Sequence, residues 1–150
     1  MMGMKGMRWG VKSSFVSYVA RMPDGAMSVT GGAASTDDGY VFPVRDATDF
    51  DARTGSGTLR FEGDLRFRAH AGMLQVRLAD PEVETTGNGA WLTVLDAAGE
   101  RIPLCHLGTP HPADGGGIEI PTALTAQGVP YFNDVYPEGT SLDPIVIRGV

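Results

Sequence analysis

The chain has 150 residues, 42% of them apolar, which is enough to bury one core. Its formal net charge is −6, and the 12 Lys and Arg form no cluster among the 18 Asp and Glu, so it lacks the basic face on which nucleic-acid binders rely. Its single cysteine, Cys105, excludes an internal disulfide, and no run approaches the roughly 20 apolar residues of a membrane-spanning helix. The 21 glycines and 10 prolines are spread between short apolar runs, which indicates many turns rather than disorder.

Met1 to Arg8 is rich in Met and Gly and lacks the apolar stretch of a secretion signal. On that evidence the chain reads as cytoplasmic; an exported chain shorn of its leader would read the same. Residues 8–11 suit a short strand. Residues 12–22 suit a helix, with Ser13 or Ser14 as its cap and Phe15, Val19 and Met22 repeating at helical spacing. Pro23-Asp24-Gly25 stops it. From there the period becomes two. Residues 26–30 and 39–44 are expected strands, and 46–57 a polar loop. The clearest strand follows: Leu59, Phe61, Leu65, Phe67 and Ala69 alternate with Arg60, Glu62, Asp64, Arg66, Arg68 and His70. Gly63 marks a bulge or bend in it. Residues 73–78 form the return strand, and Asp80-Pro81 is expected to interrupt the sheet. Strands over 82–86 and 90–96 flank Gly87-Asn88-Gly89, and 96–100 turns into a strand over 101–107. A Gly/Pro/His loop covers 108–117, then comes a brief strand at 118–120. A second helix is expected within 122–134, capped by Thr125, and a last strand at 142–147. The expected architecture is all-β with two short helices, an antiparallel β-sandwich-like single domain over residues 1–150.

Ser14 and Tyr18 stand one helical turn apart on one face, beside the apolar face of Phe15, Val19 and Met22. His70 ends a strand far along the chain. A phenol and an imidazole brought together from two elements can make an anionic oxygen ligand for ferric iron. The metal's charge favours the phenolate, and the imidazole stabilises and orients it. Read alone, Tyr18 fits a buried tyrosine packed on the sheet better than a ligand, Ser14 fits an N-cap as well as a ligand contact, and His70 fits a surface or turn histidine.

Three passages together resemble the HtaA domain, a haem-binding module of actinobacterial haem-uptake proteins. They are Trp9-Gly10-Val11-Lys12-Ser13-Ser14-Phe15-Val16-Ser17-Tyr18-Val19, Phe61-Glu62-Gly63-Asp64-Leu65-Arg66-Phe67-Arg68-Ala69-His70-Ala71-Gly72-Met73-Leu74, and Leu124-Thr125-Ala126-Gln127-Gly128 followed by Phe132, Tyr136, Gly139 and Leu142-Asp143-Pro144. Their order spans nearly the whole chain. The resemblance implies a β-sandwich-like fold holding one ferric haem b. It implies that Tyr18 is the axial ligand of the haem iron and that His70 hydrogen-bonds to its phenol. It also implies that Ser14 and Tyr136 lie beside the haem edge. Val135 stands where the resemblance leads one to expect an aromatic. Haem is the implied partner, with other haem-uptake proteins as its donors or acceptors.

Other constellations fall short. Cys105, His106 and His111 do not reach a zinc ligand set, and neighbours on a strand face opposite ways. Asp46, Asp49 and Asp51 lack the terminal glutamate of a calcium loop. Gly115-Gly116-Gly117 lacks the Lys-Ser/Thr of a phosphate loop. The reading is therefore a non-enzymatic haem carrier. Its rivals are a peroxidase-like or haem-degrading enzyme, and an interaction module that no longer binds haem.

Overall fold

The segment with the strongest alternation is also the structural spine. The computed structural model describes residues 5–150, and it pairs both halves of this segment with one long return strand. The strands are β1 (Gly6–Trp9), β2 (Ala26–Thr30), β3 (Ala34–Thr36), β4 (Gly39–Asp46), β5 (Phe50–Asp51), β6 (Ser56–Phe61), β7 (Asp64–Ala69), β8 (Leu74–Thr86), β9 (Gly89–Leu95), β10 (Arg101–Leu107), β11 (His111–Pro112), β12 (Ile118–Leu124) and β13 (Ser141–Arg148). Helix α1 spans Ser13–Arg21. The path β8-β9-β10-β12-β13-β1-β4-β6 is antiparallel throughout, and β6 pairs back onto β8, so the sheet closes into an eight-stranded barrel. The expected all-β class holds, but the sandwich gives way to a closed barrel. A barrel and a sandwich share the same alternation of buried and exposed residues; the closing contact, Gly57 to Arg60 against Thr85 to Glu82, is what separates them.

β6 and β7 run along the same edge of β8 and are separated by a kink at Glu62-Gly63. Beyond the kink, β7 pairs with the first half of β8 and carries β2 on its other edge, so β2, β7 and Leu74–Ala79 of β8 form a three-stranded wing off the closed path. Asp80-Pro81 does not interrupt the sheet as expected. It makes a bulge inside β8, where Asp80 takes φ 42° and the register with β9 shifts between Ala79 and Glu82. Inside the wall lie Leu59, Phe61, Val83, Leu92, Val94, Leu104 and Ile145, all buried.

Three helical expectations are corrected. First, α1 carries no side-chain cap from Ser13 or Ser14. The carboxylate of Asp143, from the far end of the chain, instead accepts the Ser13 backbone N–H at 3.3 Å. The backbone carbonyl of Asp143 also accepts the Trp9 indole N–H at 2.7 Å and the Thr122 hydroxyl at 3.0 Å. A Cβ on Gly10 would lie 2.3 Å from the Asp143 carboxylate. The words around Trp9-Gly10 and Leu142-Asp143-Pro144 are thus two sides of one joint that sets the entry of α1. Second, residues 122–134 form no α-helix. β12 runs to Leu124, a turn follows, and only Val129–Phe132 winds into a 3-10 turn. Gly128 and Pro130 disfavour a continuous helix there.

Third, Thr125 caps no helix. Its hydroxyl, 1% exposed, donates to the carbonyls of Pro103 and Leu104 and accepts the Gly128 N–H at 3.0 Å. Thr125→Val removes these side-chain hydrogen bonds while keeping the shape; the Leu104 carbonyl and the Gly128 N–H keep their backbone partners, the Thr125 N–H and carbonyl. It should lower the unfolding free energy by about 0.5–1.5 kcal/mol, read as a lower urea midpoint with unchanged slope.

Candidate functional site

α1 buries Phe15 and Val19 and leaves Ser14, Tyr18 and Arg21 exposed on one side. Phe15 meets Phe67 of β7 edge-on at 5.2 Å and Phe132 at 5.1 Å. Phe132 in turn meets Tyr136 at 5.7 Å. These contacts lay α1 across the wing and build an aromatic floor beside it.

At the other side of this floor β7 ends at Ala69, and the chain turns through His70–Gly72 into Leu74. His70 and Ala71 both take φ 55°. That left-handed turn directs the imidazole back over α1, where His70 Nε2 lies 2.5 Å from the Tyr18 hydroxyl. The two rings are tilted at 45°, with centroids 5.7 Å apart. The sequence-expected pair is therefore brought together across 52 residues of chain. Tyr18 is not packed on the sheet: it is 40% exposed.

Ser14, Phe15, Tyr18, Arg21, His70, Leu74, Phe132, Asn133, Val135 and Tyr136 surround a cleft of about 330 Å³. All four expected site residues are on its wall. Ser14 and Tyr136 stand at the rim, and the Lys12 ammonium lies 5.4 Å from the centre of the Tyr136 ring. Val135, in the position where an aromatic was expected, is 67% exposed. Arg21 was missed as a site residue, although its spacing from Ser14 and Tyr18 (i, i+4, i+7) puts all three on one helical face. Leu74, Phe132 and Asn133 were not assigned either; only the turn geometry brings them here.

The demoted clusters stay apart from this cleft. Cys105 is buried, and desolvation pushes its thiol up to about 12, while His106 faces outward beside Trp91. Asp49 is held by Arg60 at 2.7 Å. Among the described residues, no group of three or more His, Cys, Asp or Glu is placed to hold a metal ion. A second cavity of about 370 Å³, edged by Val83, Ile120 and Ile147, shares no lining residue with this cleft and carries no charged side chain.

The family model for HtaA matches residues 5–148. The chain belongs to the HtaA family. Its fold is that of solved HtaA domains from Corynebacterium glutamicum. The N-terminal domain of HtaA is 22% identical with a TM-score of 0.77, covering 99% of each chain. The C-terminal domain is 23% identical with a TM-score of 0.71, covering 97% of this chain and 96% of that one. The heme-binding protein HtaB of the same organism is 18% identical with a TM-score of 0.68, covering 94% and 89%. No curated protein sequence matches the chain. In this HtaA domain the three passages singled out in the sequence fall where the architecture needs them. The first and third meet at the Asp143 joint, and the second supplies β7 and its turn.

Proposed function

We propose that this HtaA domain binds ferric haem b and carries it, as a transfer or buffering protein rather than an enzyme. The observation that carries the reading is the exposed Tyr18 hydroxyl set on His70 Nε2 at the edge of an aromatic-floored cleft. Family membership and the likeness to a heme-binding protein support it.

The donor set suits the cargo. A phenolate is a hard oxygen donor that matches ferric iron. To become one, Tyr18 gives its proton to His70 Nε2, and the imidazolium N–H then donates back to the phenolate oxygen. Phe15, Leu74, Phe132 and Tyr136 offer an apolar surface for a planar ring. Arg21 supplies a guanidinium and Ser14 a hydroxyl for carboxylates at the edge of the ligand. The cleft is open, so a bound ring keeps one edge in solvent, where another haem-uptake protein would meet it beside exposed Val135.

An absorbance titration with ferric haemin tests this. A saturable Soret band at one equivalent, with charge-transfer bands of high-spin ferric haem, is the expected result. No saturable band would overturn the reading in favour of an interaction module. Peroxide turnover well above that of free haemin would overturn it in favour of an enzyme.

A further inference from the structure

Tyr18 and His70 sit on different segments, and one side chain ties those segments together. Asp24 lies in the turn that ends α1. Its carboxylate accepts the backbone N–H of His70 at 3.3 Å through Oδ1 and that of Ala71 at 2.5 Å through Oδ2. Both residues hold left-handed backbone, which L side chains rarely adopt and two in succession adopt more rarely still. Elsewhere in this turn, Gln75 donates to the Gly72 carbonyl at 2.9 Å and the Met73 N–H to the His70 carbonyl at 3.0 Å. Neither of these reaches the two N–H groups that point at α1. The Ala71 N–H, and then that of His70, hold the Asp24 carboxyl below its ordinary range, so it meets them as an anion.

The backbone angle at His70 sets the direction of its Cα–Cβ bond and therefore where Nε2 lies. With an ordinary extended backbone at His70, the strand alternation would aim the ring elsewhere. We propose that Asp24 is a positioning residue: by holding the His70–Ala71 turn in its left-handed form, it places the imidazole on the Tyr18 hydroxyl before any ligand arrives. The proposal rests on the reading of Tyr18 as iron ligand, and it adds a residue that touches neither the phenol nor the cleft.

The test uses Asp24→Ala and Asp24→Asn, the latter keeping one acceptor oxygen, with two readouts. In the haem-free protein, long-range proton–nitrogen NMR of the His70 ring reports its tautomer. The parent should show a single Nδ1–H tautomer, because Tyr18 O–H donates to Nε2. Asp24→Ala should show averaging of the two tautomers, and Asp24→Asn a state between them. In the loaded protein, haemin transfer to excess apomyoglobin should quicken about tenfold in Asp24→Ala, the scale expected for a lost outer partner of a metal ligand, and less in Asp24→Asn. A ring signal identical to the parent's in Asp24→Asn, folded as judged by circular dichroism, would overturn the proposal even if Asp24→Ala failed to fold. An unchanged transfer rate in a folded Asp24→Ala would overturn it as well. A parent that takes up no haemin would instead overturn the proposed function, a failure visible before any variant is made.

Discussion

Tyr18→Phe should abolish the high-spin tyrosinate spectrum and lower ferric haemin affinity by more than His70→Asn does. Removing an outer partner of a metal ligand costs about 10–100-fold; removing the ligand itself should exceed that range. The comparison is informative because neither change should harm the fold. The Tyr18 side chain is 40% exposed, and exposed substitutions usually stay within about 0.5 kcal/mol. Asn is chosen over Ala at His70 because the position is left-handed and Asn tolerates that conformation. Matched titrations, with thermal melts of each haem-free protein, read both effects. Equal affinity in Tyr18→Phe and parent would move the ligand away from Tyr18. Equal loss in both variants, with lowered melting temperatures, would mean that the pair only braces α1 against the turn.

The site was legible in pieces. Ser14 and Tyr18 share a helical face by spacing alone, and the structure keeps them there. That His70 reaches them depends on two consecutive left-handed residues and on Asp24, and no periodicity reports backbone sign. Arg21 is readable from the same spacing, at i+7 from Ser14. The strands were legible wherever one face is buried: Leu59, Phe61, Leu65, Phe67 and Ala69 are all in the core. Closure was not. It depends on β1 meeting β13, with Gly6 opposite Arg148, and on β6 meeting β8; both pairings follow from chain path rather than local pattern. The expected cap at Ser13 or Ser14 failed for a related reason. A carboxylate 130 residues away, on Asp143, does that work, and local reading favours local partners.

A large effect on folding should come from Gly63. Gly63→Ala is expected to lower stability by about 2–6 kcal/mol, summing a backbone cost of about 1–3 kcal/mol and a similar overpacking cost, and Gly63→Val should yield no soluble folded protein. Gly63 takes φ 142°, and a Cβ there would lie 2.5 Å from the Ala33 Cβ and 2.8 Å from Phe42 Cδ2. Phe42 is fully buried in the core and cannot retreat. The peptide at this point is also engaged on both sides. The Gly63 N–H donates to the Asp80 carboxylate at 3.1 Å, and the Gly63 carbonyl accepts the Asp80 N–H at 2.7 Å. The kink and the bulge in β8 are therefore one unit. It lets a single strand serve the barrel wall as β6 and the wing as β7, and the wing is what carries His70 to α1. Domains of this size are stable by only about 5–15 kcal/mol, so the loss takes a large share. Gly55→Ala is the control: its φ is also positive, at 76°, but nothing lies within 4 Å of its added Cβ. It should cost only the left-handed penalty of about 1–2 kcal/mol. Urea denaturation of the two variants side by side separates the explanations. If both lose the same amount, backbone sign alone matters and the packing of Ala33 and Phe42 against the kink does not hold the wing in place.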